Sequence, residues 1–206
     1  NMLNQAMNRN RGNSSFLMPL ATISAGLITA LYGTYRYKKD YLFKLAVGNG
    51  YESAVAGLIA LGVDVNKART TDGATPLMFA AANGHEVIVE QLMAAGADKD
   101  KASNSGATPL YIAAQNGYTA VVGRLLAAEA DVNRARTTDG KTSLCIAAQQ
   151  GHADVVEQLL GVGANVEQAR TIDGSTPLYI AAQNGHEAVV QTLLKAGAIV
   201  DQAMDD

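Results

Sequence analysis

The decapeptide TPLYIAAQNG, residues 108–117, is written again letter for letter at residues 176–185. Midway between them lies TSLCIAAQQG, beginning at Thr142, and TPLMFAAANG begins at Thr75. The starts at 75, 108, 142 and 176 are 33, 34 and 34 residues apart. One further step back reaches YLFKLAVGNG, residues 41–50, where Ala46, Asn49 and Gly50 keep register although the Thr-Pro-Leu opening is gone. A fixed period of this length restricts the chain to stacked supersecondary units. A single unit cannot bury its apolar face alone, and its neighbours must cover it.

Each unit reads locally as helix, turn, helix, extended loop. Thr75 suits an N-cap, and Pro76 sits at the first helical position, where a missing N–H costs nothing. Leu77, Ala80 and Ala81 then share one helical face. Asn83-Gly84 ends the first helix, with Gly84 free to turn left-handed. A second helix follows with Val87, Ile88, Leu92 and Met93 as its apolar stripe, and Gly96 ends it. The polar stretch ADKDKASNSGA leads to the next Thr-Pro-Leu.

The Thr-Pro-Leu opening, the Ala-Ala pair, the Gly-His steps at 84–85, 151–152 and 185–186, and GVDVN at 62–66 together resemble the ankyrin repeat. The resemblance covers roughly residues 40–203 in five copies. It implies an all-α solenoid of stacked helix pairs with hairpin loops projecting to one side. It also implies that the recurrent His supports the start of the second helix. The chain departs from the family pattern in three ways. The loops NKARTTDG, NRARTTDG and EQARTIDG run one residue longer than the usual hairpin. The usual His after Thr-Pro-Leu is Met78, Tyr111, Cys145 or Tyr179. Glu129 stands where Gly closes the sister helices, which predicts a different closure there.

Ahead of the repeats the pattern changes. Residues 1–15 are a polar, Asn-rich tail, and Phe16 to Tyr35 is a run of 20 residues without a formal charge. That is the length a helix needs to cross a bilayer. Arg36, Lys38 and Lys39 follow, with Tyr32, Tyr35, Tyr37 and Tyr41 clustered beside them, as at a membrane interface. Thr22, Gly26 and Ala30 form a small-residue stripe on which another membrane helix packs closely. The reading is a transmembrane helix over 16–37 preceding a repeat domain over 38–206, with no Gly, Pro or Ser between Tyr35 and Leu45 to loosen the join. Two other readings stand beside it. The segment is a soluble helix capping the first repeat, or a removable targeting leader. Either would make the protein a soluble ankyrin adaptor.

Five of the 16 basic residues and none of the 19 acids lie in residues 1–39, so the repeat body is strongly acidic. An acidic body opposes nucleic-acid binding, which works by neutralising phosphates. The basic, acid-free leader fits a membrane, including an organellar one, mitochondrial or plastid.

No chemistry converges in the sequence. His85, His152 and His186 recur at one repeat position, so they stand whole units apart instead of around one ion. GVG at 161–163 lacks the third glycine of a dinucleotide fingerprint. The single cysteine, Cys145, has no base beside it in sequence and takes a packing position. No cofactor, metal or small-molecule substrate is expected.

What remains is surface. The resemblance places two sets of residues on the concave side, where ankyrin proteins commonly bind other proteins. The first-helix ends supply Asn83, Gln115, Asn116, Gln149, Gln150, Gln183 and Asn184. The hairpin tips supply Arg69, Thr71 and Asp72, then Arg136, Thr138 and Asp139, then Arg170, Ile172 and Asp173. Arg is favoured at interfaces and pairs bidentately with carboxylates, either a partner's or the Asp three residues on. The expected role is a non-catalytic protein-binding scaffold on a membrane, an accessory subunit among other membrane-protein subunits. The last unit, ending VVQTLLKAGAIVDQAMDD, is expected to leave part of its apolar edge exposed.

Overall fold

The computed structural model describes residues 39–200. The polar tail, the uncharged run at 16–35 and its Thr22, Gly26 and Ala30 stripe lie outside these residues. Among the described residues there are ten helices and no strand. None of these helices is long and apolar enough to cross a membrane. They form five pairs: α1 Lys39–Gly48 with α2 Glu52–Ala60, α3 Pro76–Ala82 with α4 Glu86–Ala94, α5 Pro109–Asn116 with α6 Thr119–Ala127, α7 Ser143–Gln150 with α8 Ala153–Gly161, and α9 Pro177–Gln183 with α10 Glu187–Lys195. First helices pack on first helices, and second on second, down the whole row.

The caps follow the sequence. Thr75, Thr108, Thr142 and Thr176 are extended N-caps whose hydroxyls accept the N–H of Met78, Tyr111, Cys145 and Tyr179. Ser143 takes the place that Pro holds in the sister units. Its hydroxyl is buried and has no partner. One continuous core threads the stack. Leu77, Leu110 and Leu144 are at most 1% exposed on the first helices, and Ile88, Leu92, Leu125 and Leu159 are fully buried on the second. The second-helix stripe differs from the expected one by a residue. Val89 is buried beside Ile88 and Leu92, whereas Val87 is exposed, because 100° per residue turns position 87 outward.

Three polar seams fasten neighbouring units. In the first, a side-chain oxygen of each loop accepts a backbone N–H from the next. Asp98 donates to Asn66 Oδ1 (2.8 Å), Asp131 to Asp100 Oδ1 (2.9 Å), Asn165 to Asn133 Oδ1 (2.8 Å) and Ile199 to Glu167 Oε1 (2.8 Å). In the second, the His column bonds backwards. The Nε2–H groups of His85, His152 and His186 donate to the carbonyls of Gly48, Gln115 and Gln149 at 3.2, 3.1 and 3.0 Å. These rings make no cap bond to their own helices, contrary to the role the resemblance implied. They instead satisfy carbonyls left open at the end of the preceding unit's first helix. Tyr118 takes the same place in the third unit, its ring against Gly84. The third seam joins the hairpin tips, where Asn104 N–H donates to Asp72 O (2.8 Å) and Thr171 N–H to Asp139 O (3.0 Å).

Glu129 does not close its helix differently. At φ 59° it is the one non-glycine with positive φ among the described residues. It makes the same closing bonds as Gly96: Glu129 N–H to Leu126 O and Ala130 N–H to Leu125 O, matching Gly96 to Met93 O and Ala97 to Leu92 O. The turn is imposed by the packed helix, and the side chain bears the strain. Glu129→Gly is therefore expected to raise stability by about 0.5–1 kcal/mol, read as a higher chemical-denaturation midpoint with an unchanged slope.

Candidate protein-binding surface

The hairpin tips are built on a repeated staple. Arg69, Arg136 and Arg170 each open a tight turn with their own backbone, accepting the N–H of Gly73, Gly140 and Gly174 and donating to Ala74, Lys141 and Ser175. Each guanidinium then reaches over the same turn. Nε donates to Asp72 Oδ1 at 2.7 Å, Asp139 Oδ1 at 2.9 Å and Asp173 Oδ1 at 2.5 Å, and Nη2 takes the second oxygen of each carboxylate. The carboxylates also accept the N–H of Ala74, Lys141 and Ser175. So the Arg column is engaged bidentately within its own loops, and a partner's carboxylate would have to displace a native one. Thr71, Thr138 and Ile172 are left outermost and exposed, whereas Asp139 is buried.

These bonds have a pH signature. The Arg69 guanidinium, aided by the Ala74 N–H, holds Asp72 well below the ordinary carboxylate range. Arg136 lowers Asp139, and Arg170 holds Asp173 down to about 2. Depressed carboxylates contribute stability that is complete above the unfolded value, near 4, and is lost as pH falls through the folded values. Acid titration is expected to loosen the hairpin of Asp173 between about pH 4 and pH 2. Amide exchange at Gly174 should speed up in that window, and Asp173→Asn should remove that pH dependence.

Behind the tips stands a wall of first helices. Helices α3, α5, α7 and α9 contain no charged residue. Asn83, Gln115, Asn116, Gln150, Gln183 and Asn184 are exposed along it, and Gln149 is half-buried. The Asn side chains are partly occupied, since Asn83, Asn116 and Asn184 donate back to the carbonyls of Phe79, Ile112 and Ile180. Gln149 Oε1 accepts from Lys141 Nζ at 2.7 Å. The carboxamides of Gln115, Gln150 and Gln183 have no partner among the described residues.

Tips and wall meet in an open recess of about 430 Å³. It is lined by Thr71, Asp72, Ser103 and Ser105 of the hairpins, by Met78, Tyr111, Ile112 and Gln115 of the first helices, and by Arg136, with Met78 and Tyr111 each only 2% exposed. Arg136 lies over the Tyr111 ring, 5.1 Å from its centre, and burial pushes the Tyr111 hydroxyl up to about 12. The recess falls at the third unit, where the tip is one residue shorter and carries Ser103 instead of Arg. The 33-residue step was its only trace in the sequence, and Met78, Tyr111, Ile112, Ser103 and Ser105 were not among the expected site residues.

A family model described as Ankyrin repeats (3 copies) matches residues 43–136 and again 125–204. The chain belongs to the ankyrin repeat family. Comparison with curated proteins finds no match. Ankyrin repeats are protein-binding modules. Among the described residues no group of His, Cys, Asp and Glu is placed to hold a metal ion. Cys145 is fully buried, its thiol donating to Gln168 O at 3.4 Å, and burial pushes its pKa up.

At the far end of the stack, Tyr179, Leu194, Ile199 and Val200 line an apolar groove and are 41–74% exposed. The equivalent Tyr111 inside the stack is 2% exposed.

Proposed function

We propose that this protein is a non-catalytic scaffold that binds other proteins through its ankyrin stack and holds them at a membrane. The observation that carries the binding role is the charge-free wall with uncommitted carboxamides, set beside hairpins whose own charges are mutually satisfied. Apart from the internally paired Arg136, Asp139 and Lys141 group, the surface has no charge to desolvate, which suits protein contact. The membrane role rests on the sequence, on the 20 uncharged residues from Phe16 and the basic, Tyr-rich flank that follows. Helix α1 begins at Lys39, so only Arg36, Tyr37 and Lys38 separate that run from the first unit. The stack is then held close to the bilayer in a set pose, as suits an accessory subunit of a membrane assembly.

Crosslinking mass spectrometry on native membranes tests the scaffold role. Crosslinks from lysines of the repeat stack to another membrane-protein subunit are expected. Crosslinks confined to this chain would end the scaffold reading. Carbonate extraction tests the anchor separately: the protein should stay with the pellet, and release into the supernatant favours the soluble adaptor.

A further inference from the structure

Four Asn-Gly steps are written into the chain, at 49–50, 83–84, 116–117 and 184–185. Each ends the first helix of its unit, and only the fourth unit differs, with Gln150-Gly151. Asn is a thermolabile residue. It is most so before Gly, whose nitrogen has no neighbouring side chain to keep it from closing onto the carboxamide. Within each step the bonding is alike. The Asn Nδ2–H donates to the carbonyl four residues back, Leu45, Phe79, Ile112 and Ile180, at 2.7, 2.8, 2.9 and 2.7 Å. The Gly N–H donates to the carbonyls of Val47, Ala81, Ala114 and Ala182. Both groups that would react are therefore tied down, and reaction waits on opening of the helix end.

The steps differ in what covers them. A Cβ built on Gly50, Gly84 or Gly117 would lie 2.8, 2.8 or 2.7 Å from the ring of His85, Tyr118 or His152, the residue that opens the next unit's second helix. His85 and His152 also bond the helix end they cover, at Gly48 O and Gln115 O. Freeing these three steps means parting two units. Gly185 meets nothing within 4 Å among the described residues and is exposed, whereas Gly50, Gly84 and Gly117 are half-buried. Among the described residues its unit is held by a neighbour on one side only, so it opens at lower cost.

We infer that Asn184 is a site of spontaneous deamidation, the one Asn-Gly step of the four that the stack leaves unguarded. Once the helix end opens, the Gly185 nitrogen gives its proton to solvent base and attacks Asn184 Cγ. The new C–N bond closes a succinimide ring as the Cγ–Nδ2 bond breaks and ammonia leaves. Water then opens the ring to aspartate or isoaspartate. Either product puts a carboxylate at the C-terminal end of α9, a helix without charge, where it meets the negative end of the helix dipole and no longer donates to Ile180 O.

The test is incubation of the full chain in mildly alkaline buffer, native and in guanidinium chloride, with peptide mapping by mass spectrometry for the conversion of each amide to an acid. In the native chain Asn184 should convert at least about tenfold faster than Asn49, Asn83 or Asn116. In guanidinium chloride the four rates should converge to within about threefold, since no cover remains. Isoaspartate should be found at position 184 by enzymatic methylation of the isolated peptide, as the ring intermediate requires. His152→Ala uncovers Gly117 and should speed conversion at Asn116 several-fold with Asn83 unchanged. Should that variant unfold, the rank order in the parent chain decides alone. Equal native rates at the four steps, faster conversion at Asn49 or Asn116 beside their histidines, or an Asn184 that stays intact while the denatured chain converts would overturn this inference and leave the scaffold role standing.

Discussion

Gly106→Val is expected to lower the stability of the stack by about 3 kcal/mol and to part the third unit's tip from the Thr137 tip of the next unit. Gly106 is buried at φ 84°, a conformation that costs a β-branched residue dearly. Space is the second problem. A Cβ there would lie 2.3 Å from the Thr137 backbone nitrogen and 2.6 Å from its hydroxyl. The nearest atom belongs to a backbone, so no rotamer change relieves the clash, and the two tips must part. Left-handed strain of about 1–2 kcal/mol and overpacking of about 1–3 kcal/mol give the estimate. For a chain of this size each kcal/mol lowers the melting temperature by about 2–4 °C, so a fall of roughly 6–12 °C should be seen. Gly62→Val serves as the control: it meets nothing within 4 Å and carries only the conformational cost. Equal losses in the two variants would show that the tips are not zipped as described. Because the recess is lined by Ser103 and Ser105, three and one residues before Gly106, Gly106→Val should also weaken any ligand bound in it.

The parts of the fold fixed by local geometry could be read from the letters. Thr75 before Pro76 announces a capped helix, and Asn83-Gly84 announces its end, because each depends on only a few neighbouring residues. Contacts between units were harder to read. Acids and amides recur at 64 and 66, 98 and 100, 131 and 133, and Asn66, Asp100 and Asn133 each reach the next unit. Sequence shows that they recur but not which unit they face. His85 suggested a cap for its own helix, and the geometry turns its ring toward Gly48 O instead. The Arg column was legible as a column, with partner carboxylate and neighbouring Asp both open to it, and the turn geometry brings Asp72 within reach of Arg69. The recess was legible only as a missing residue, since a one-residue deletion says nothing about the hollow it leaves between two longer tips. Glu129 shows the opposite case: the local rule predicts a different turn, and packing of α6 overrides it.

Leu125→Ala carries the second large expectation, a loss of about 3 kcal/mol. Leu125 is fully buried on α6 in the central unit, among the core that joins α4, α6 and α8. Removing three carbons there forfeits their transfer from water and leaves a cavity between helices held on both sides, which limits collapse. Leu194→Ala, on the edge helix α10 where the side chain is 41% exposed, should cost below about 1 kcal/mol. The contrast has a further consequence, since in a stack each unit is stabilised by its own fold plus its contacts with the units beside it. Weakening the centre lowers two contacts at once, so the stack divides there before it melts as a whole. Amide exchange should then rise in α4 and α8 together with α6, while α1 and α10 respond less. Exchange that rises equally in all ten helices would mean that the five units unfold as one body, and the nearest-neighbour description would fail for a stack this short.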